Sequence, residues 1–214
     1  MAPHECARGE MDITTVFGTV ILGSNPGGRT MNMREIEVRF LEIDKQSLVD
    51  CLVASGAEDR GEQLLTETII YDRDLEWKEK NTFLKLRKTN TDTLLTYKEQ
   101  TDTIDGTLEI EFVVSDAEMA QALLAKLGYP GFRQQEKYRH TLVLDGVTFD
   151  IDTWPHIPTY VELEGSSEAA LKQAAEKVGL AWIEAVVDNP RKIIEERYGI
   201  PVGSLRWFTF DRVE

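Results

Sequence analysis

Charged and apolar residues alternate along several segments of the sequence, and the charges within one segment mostly share a sign. Residues two apart on a β-strand project from the same face, so each charged set would line one face of its strand. The sets are Glu35, Glu37 and Arg39; Lys85 and Arg87; Lys98; Glu109 and Glu111; Arg133, Lys137 and Arg139; Asp150 and Asp152; and Glu162 and Glu164.

One charged pair on a strand is typical of a solvent-exposed face. Six strands that repeat the pattern indicate something else, because like charges that face each other destabilise a sheet. Eight carboxylates and seven cations in one interior would require counter-ligands to compensate them. Clustered carboxylates favour hard cations such as Mg²⁺ or Mn²⁺, and several Lys and Arg side chains suit a polyphosphate.

The sequence predicts an α+β fold: a closed antiparallel eight-stranded β-barrel that forms a tunnel, with helices packed outside. A barrel of about eight strands can hold one small ligand. The strands are expected at residues 34–43, 64–71, 83–88, 94–100, 107–114, 132–144, 147–152 and 160–164. The residues that alternate with the charged ones along these strands are apolar and can pack against the helices.

Capping residues predict where the helices begin. Asp44 precedes a helix that Gly56 can stop, and Ser115-Asp116-Ala117-Glu118 resembles a capping box. The second helix carries Met119, Leu123, Leu124 and Leu127, which we expect on one face. Two further helices are predicted after Ser166-Ser167-Glu168 and after Asn189-Pro190.

Composition limits the partners. The formal net charge of the 214-residue chain is −14, so nucleic acids and anionic membranes would repel it. No apolar run is long enough to cross a membrane. The two cysteines, Cys6 and Cys51, lie far apart, which favours a cytoplasmic protein with free thiols over a disulfide framework.

The first 30 residues differ from the rest. Ile13 to Leu22 is apolar but lacks the basic residues that precede the core of a secretory signal. We expect residues 1–30 to be a disordered extension, or a stretch upstream of a start near Met31 or Met33, and residues 31–214 to be a single tunnel domain. The oligomeric state, monomer or homodimer, stays open.

The ordered set of charged motifs resembles the CYTH superfamily of triphosphate tunnel metalloenzymes. Glu35-Ile36-Glu37-Val38-Arg39 is similar to the family's opening Glu-x-Glu-x-Lys signature, with Arg39 in place of the lysine. The later matches, in order, are Leu84-Lys85-Leu86-Arg87, Tyr97-Lys98, Glu109-Ile110-Glu111, Lys137-Tyr138-Arg139, Asp150-Ile151-Asp152 and Glu162-Leu163-Glu164-Gly165.

The resemblance implies a role for each set. Mg²⁺ or Mn²⁺ would be held by Glu35, Glu37, Asp150, Asp152, Glu162 and Glu164, with Glu109 and Glu111 as further tunnel carboxylates. A small-molecule triphosphate would be held by Lys85, Arg87, Lys98, Arg133, Lys137 and Arg139. Glu35, Glu37 and Arg39 are the candidate catalytic residues. Because an arginine is rarely deprotonated, Arg39 is expected to orient a phosphate or a carboxylate instead of acting as a base.

Three functions remain open at this point. The first is a metal-dependent triphosphatase acting on inorganic tripolyphosphate or on an organic or nucleoside triphosphate. The second is a class IV adenylyl cyclase that makes cyclic AMP from ATP, although the His-Phe pair typical of that branch does not precede Glu35. The third is a polyphosphate-binding module without catalysis.

Overall fold

Strands form where charged and apolar residues alternate, and they close into a ring. The computed structural model describes residues 34–101 and 103–214. The expectation for residues 1–30 lies outside these ranges, and residues 33–214 form one compact unit. The nine strands within the described part are β1 Arg34–Phe40, β2 Glu58–Ile70, β3 Thr82–Lys88, β4 Thr93–Glu99, β5 Thr107–Val114, β6 Gly131–Leu144, β7 Val147–Thr153, β8 Tyr160–Gly165 and β9 Trp207–Phe208.

Eight of these strands make the barrel. Their order is β2-β3-β4-β5-β1-β8-β7-β6, and β6 pairs back onto β2 to close the ring. Every pairing within the ring is antiparallel. The two-residue β9 adds in parallel to β6 at Gln134 and Gln135, before the part of β6 that pairs with β7. The predicted α+β fold with a closed eight-stranded antiparallel barrel is therefore confirmed.

Five α-helices and one 3-10 turn connect the strands in the described part of the chain. They are α1 Lys45–Ala54, α2 Glu76–Glu79, α3 Ala117–Lys126, α4 Glu168–Lys177, the turn Trp182–Glu184, and α5 Pro190–Tyr198. The side chain of Asp44 accepts a hydrogen bond from the Ser47 amide at 2.7 Å, which confirms it as the cap of α1. Asn189 caps α5 in the same way, through the Lys192 amide.

The largest apolar core lies outside the barrel, between its wall and two helices. Outward-facing residues of β1, β7 and β8, such as Phe40, Phe149 and Leu163, pack against Leu52 of α1 and Leu171 of α4, and all of these are buried. Because the apolar residues of these three strands face the helices, the charged residues that alternate with them must face the tunnel. The core therefore fixes which side chains enter the site.

Helix α3 differs from its prediction. Its cap is Asp116, whose side chain accepts from the amides of Glu118 and Met119. Of the four apolar residues predicted to share a face, Leu124 packs against the barrel, while Met119, Leu123 and Leu127 are 68%, 61% and 64% exposed. The short side chains of Ala117 and Ala120 face the barrel beside Leu124, so the larger residues lie outside the contact.

Strand β2 begins earlier than predicted, at Glu58 instead of residue 64. The additional residues are mostly polar and include Gly61, which has a φ of 84°. The register of β2 with β6 shifts between Asp59 and Glu62, as expected of a β-bulge that accommodates glycine. A polar stretch with a glycine carries no alternating pattern, which is why the sequence did not indicate a strand there.

We expect Leu163→Ala to lower the free energy of unfolding by about 2–5 kcal/mol, the usual cost of a cavity in a packed core. Leu163 is fully buried in the contact between β8 and the helices. Urea unfolding followed by circular dichroism measures the loss. The matched control, Leu123→Ala on the exposed face of α3, should change it by less than about 1 kcal/mol. Equal losses in both variants would contradict this placement of the core.

Candidate active site

The barrel interior is divided into two walls of opposite charge. In ring order, β5, β1, β8 and β7 are neighbours, as are β6, β2, β3 and β4. The first four strands carry all the predicted carboxylates: Glu109, Glu111, Glu35, Glu37, Glu162, Glu164, Asp150 and Asp152. The second four carry the cations Arg133, Lys137, Arg139, Lys85, Arg87 and Lys98. We call these the acidic wall and the basic wall.

The two walls neutralise each other where they meet. At one seam Lys98 of β4 lies directly across from Glu109 of β5, and its Nζ is 3.1 Å from Glu109 Oε2. At the other seam Arg139 of β6 lies across from Asp152 of β7. Arg139 Nε donates to Asp152 at 2.7 Å, and its Nη1 donates to Asp150 at 2.5 Å. Neighbouring strands thus supply part of the counter-charge that the sequence pattern assigned to ligands.

Each wall also holds one buried charge of the opposite sign. In the acidic wall this is Arg39, which is 1% exposed. Its Nη2 is 2.5 Å from Glu162 and 3.1 Å from Glu37, and its Nη1 donates to the Asp188 carbonyl oxygen at 3.1 Å. Burial alone would lower the pKa of Arg39, but these two carboxylates raise it above its usual value. Arg39 therefore stays charged between Glu37 and Glu162, and its predicted role in orienting a phosphate or a carboxylate stays a prediction.

The counterpart in the basic wall is Glu67 of β2, which the sequence did not single out. It is 2% exposed and accepts hydrogen bonds from Arg87 Nε at 2.7 Å and from Gln135 Nε2 at 2.6 Å. Burial opposes ionisation, but Arg87 and the neighbouring lysines hold the pKa of Glu67 well below its usual value. The residues two positions away from Glu67 on β2 also face inward, and they are Leu65 and Ile69. Because both are apolar, the sequence of β2 shows no alternation of charged and apolar residues.

Carboxylates crowd in the acidic wall around a single lysine. Lys98 Nζ lies 2.8 Å from Glu35 Oε2 and 3.8 Å from Glu37 Oε2, yet Glu35 Oε2 has no partner with hydrogen-bond geometry. Burial, and then the neighbouring Glu109 and Glu37, raise the pKa of Glu35 to about 7, against the lowering effect of Lys98. Burial and the charges of Glu35 and Glu162 raise the pKa of Glu164 to about 8, although its side chain still reaches solvent.

This crowding fits a divalent cation, because carboxylates whose pKa values are raised, first by burial and then by neighbouring carboxylates, gain from a shared positive charge. Glu35 and Glu164 are the predicted ligands with raised pKa values, and Glu37 lies beside them, where it also pairs with Arg39. Asp150 and Asp152 are occupied by Arg139, and Asp152 also accepts from Lys137 at 2.7 Å. Within residues 34–101 and 103–214, no three acidic, histidine or cysteine side chains already form a metal-binding group. The predicted metal ligands therefore stay a prediction.

A cavity of about 780 Å³, including its solvent-open part, lies against the basic wall, and Arg39 and Glu162 line it from the acidic wall. Among the residues that line it are Lys85, Arg87, Arg133, Lys137 and Arg139 of the basic wall. Two cations that the sequence did not single out, Lys78 of α2 and Arg191 of α5, line it as well. Neither belongs to a strand, so the alternation along the strands could not reveal them.

The segment that contains α5 is tied to the tunnel by two arginines. Val186 exchanges backbone hydrogen bonds with Arg39 at 2.8 Å, and the guanidinium of Arg39 contacts the Asp188 carbonyl. Further along, Arg133 Nη1 donates to the Val202 carbonyl at 2.8 Å. Interior charges therefore hold α5 beside the cavity, where Pro190 and Ile194 contribute to its lining.

A family model described as the CYTH domain matches residues 33–184. The chain belongs to the CYTH family. CYTH proteins are a triphosphate tunnel family, so the resemblance stated from the motifs is confirmed. A comparison with curated proteins gives no match. No helix in the described part of this CYTH chain has the length and apolar character needed to span a membrane.

Solved structures share the CYTH fold. The PH1012 protein of Pyrococcus horikoshii has 22% identity and a TM-score of 0.62, with 72% of this chain and 96% of that chain covered. A candidate adenylate cyclase of Vibrio parahaemolyticus has 12% identity and a TM-score of 0.66, covering 77% and 99%. HpAC1 of Hippeastrum, a candidate adenylyl cyclase with a dominant triphosphatase activity, has 12% identity and a TM-score of 0.55, covering 77% and 96%. At these identities the similarity shows the fold alone.

The crowded carboxylates predict that stability falls as the pH rises. The pKa values of Glu35 and Glu164 are raised to about 7 and about 8, so at intermediate pH the unfolded chain binds fewer protons than the folded chain. Stability is therefore lost between roughly pH 5 and pH 8. We expect Glu164→Gln to reduce this loss in urea unfolding measured across that range.

The control is Glu176→Gln on the exposed surface of α4, which removes the same charge outside the barrel. It should leave the pH dependence close to that of the wild type. A Glu164→Gln protein that loses as much stability with pH as the wild type would show that the acidic wall does not store this repulsion.

Proposed function

We propose that this protein is a metal-dependent triphosphatase that hydrolyses its substrate between the two walls of the tunnel. The observation that carries the proposal is the division of the interior into contiguous acidic and basic walls, which are joined by ion pairs of Lys98 and Arg139 where they meet. A magnesium or manganese triphosphate is itself a cation joined to a polyanion. The acidic wall suits its metal and the basic wall suits its phosphates.

Substrate binding would fall mainly to the basic wall. Lys85 and Arg133 have no carboxylate within 4.0 Å in the described part of the chain. Arg87 uses only its Nε on Glu67, so its two terminal nitrogens stay available to phosphate oxygens. Lys137 and Arg139 share Asp152 and would extend the phosphate site toward the seam with the acidic wall.

Lys85 supports this assignment. Burial and the adjacent Arg87 lower its pKa to about 8, although Glu109 and Glu67 favour the charged form. An anion beside Lys85 would replace the water that its ammonium has lost, and would restore the charged form. The free energy of binding would thus include relief of the repulsion between Lys85 and Arg87.

Glu35, Glu37 and Glu164 would hold the metal, which supplies charge neutralisation and polarises phosphate oxygens when bound. Glu35 and Glu37 would also hold the attacking water. The bond from water oxygen to the terminal phosphorus would form as the phosphoanhydride bond breaks, the water proton would pass to Glu35 or Glu37, and the electron pair of the broken bond would stay on the leaving diphosphate. The cations of the basic wall stabilise that developing charge. Arg39 holds Glu37 and Glu162 in position.

Two other functions use the same tunnel. A cyclase would direct the ribose 3′-hydroxyl of ATP at the α-phosphorus and release cyclic AMP. A binding module would retain the polyphosphate without product. Incubation with tripolyphosphate, ATP or thiamine triphosphate, each with Mg²⁺ or Mn²⁺, separates the three. Released phosphate supports the proposal, whereas cyclic AMP, or tight binding without product, would replace it.

We expect Glu35→Gln and Glu162→Gln each to lower kcat for metal-dependent phosphate release by about 10²-fold or more. Glu35→Gln removes a charge from the proposed metal site, and Glu162→Gln removes the 2.5 Å partner of Arg39. Phosphate release with Mn²⁺, with and without a chelator, measures the effect. Glu176→Gln serves as the control, and its rate should match the wild type. Unchanged turnover in both tunnel variants would exclude the proposed site.

A further inference from the structure

The cations that line the cavity fall into two groups according to their partners. Nine Lys and Arg side chains line it, with only two carboxylates, Glu67 and Glu162. Five of the nine have a carboxylate partner: Arg39, Arg87, Lys98, Lys137 and Arg139. Across the described ranges, the other four have none within 4.0 Å: Lys78, Lys85, Arg133 and Arg191. Lys85 and Arg133 belong to the basic wall already assigned to the triphosphate.

Lys78 and Arg191 add positive charge beyond the barrel strands. They come from α2 and α5, which meet at this edge of the cavity. Arg191 Nη2 donates to Asn81 Oδ1 at 2.5 Å and contacts the Lys78 carbonyl oxygen at 3.4 Å. The charge of Arg191 is thus fixed beside the backbone of Lys78, and its partners are neutral acceptors.

The surroundings of this pair contain further features that favour an anion. Lys78 Nζ lies 5.6 Å from the centre of the Phe132 ring, a contact that leaves its charge uncompensated. Helix α5 begins at Pro190, which lines the cavity, so the positive end of its dipole lies at the same edge. Arg191 also adds to the positive field at Arg133, whose pKa is lowered first by burial and also by Arg191, while Tyr71 and Glu195 act in the opposite direction.

We propose that Lys78 and Arg191 form a rim that selects the substrate by the charge of its far end. This inference rests on the proposed function. The rim lies beside Arg133 of the basic wall, so it would meet the last phosphate of the substrate and any head group attached to it. Two cations without carboxylate partners there favour a free terminal phosphate, which carries more negative charge than an esterified one, and repel a cationic head group. The protein would therefore take unbranched inorganic polyphosphate, such as tripolyphosphate or a longer chain, in preference to triphosphate esters with a neutral or cationic head group.

The test compares kcat/KM for tripolyphosphate, ATP and thiamine triphosphate with Mg²⁺ in the full chain. The wild type should prefer tripolyphosphate by about tenfold or more, with thiamine triphosphate last. Lys78→Gln and Arg191→Gln should each raise KM for tripolyphosphate about fivefold to tenfold, the usual effect of one partly screened charge. The kcat for tripolyphosphate should stay close to that of the wild type, and KM for thiamine triphosphate should fall.

Two variants on the same helices control for net charge. Lys80 ends α2 and pairs with Glu76 in solvent, and Arg197 lies exposed on α5. Lys80→Gln and Arg197→Gln should leave the order of substrates unchanged. Arg191→Lys keeps the charge but loses the guanidinium hydrogen bond to Asn81, and it should retain most of the preference for tripolyphosphate. Because the Lys78 side chain donates no hydrogen bond within the described residues, Lys78→Gln provides the test if Arg191→Gln fails to fold.

Three results would contradict the proposed role of the rim. The first is a wild type that hydrolyses the three substrates equally well. The second is an equal rise in KM for all three substrates in the rim variants. The third is the same change in the control variants as in the rim variants. If the wild type hydrolyses none of them, the proposed function fails by itself. The rim is then tested by calorimetric binding of tripolyphosphate and ATP without metal, where the rim variants should lose affinity for tripolyphosphate selectively.

Discussion

The cost of enclosing many charges in one barrel governs this structure. An unpaired ion inside a protein is expensive, and an ion pair repays the cost only with good geometry. The register of the strands provides that geometry at Arg39 and Glu162, at Lys98 and Glu109, and at Arg139 and Asp152, which face each other directly. A register slip of one residue would turn every charge of the strand outward and every apolar side chain inward. Core packing outside the barrel and charge pairing inside it therefore enforce the same alignment.

Buried charges are paired with opposite charges at the seams between the two walls, and are paired less completely elsewhere in the barrel. Arg39 relieves repulsion in the acidic wall, and Glu67 does the same in the basic wall. Burial and neighbouring carboxylates keep the pKa values of Glu35 and Glu164 raised, and burial and Arg87 keep that of Lys85 lowered. Such unrelieved repulsion costs stability and is typical of sites that bind or react. The acidic wall thus lacks positive charge and the basic wall lacks negative charge. The proposed binding of a metal ion together with an oligophosphate requires this arrangement.

Much of the fold and of the candidate site could be predicted from the sequence, because the alternation of charged and apolar residues is a strong signal for a strand. The charges at Glu35, Glu37, Lys85 and Arg87 repeat at a spacing that only a strand places on one face. The closed ring followed from burying many such faces together. Pairing between strands could not be predicted, so the neutralisation of Arg139 by Asp150 and Asp152 was visible only in the structure.

Residues outside the pattern were missed for identifiable reasons. Glu67 stands alone on a strand whose other inward residues are apolar. Lys78 and Arg191 lie on helices and reach the cavity only through the tertiary packing of α2 and α5. The exposed residues of α3 show the opposite error: helical periodicity gives a face, but it does not say which of two apolar faces the barrel covers.

The position of β1 in the ring has a consequence for how the chain assembles. β1 is the first strand of the barrel, yet its neighbours are β5 and β8, and Arg39 finds Glu162 123 residues later. During synthesis β1 has no partner until β5 emerges, and the ring cannot close until β8 has left the ribosome. Such distant pairing slows folding and leaves strands exposed to aggregation. In that interval Glu35, Glu37 and Arg39 interrupt every apolar run in β1, so the charges that later line the tunnel first keep the unpaired strand soluble.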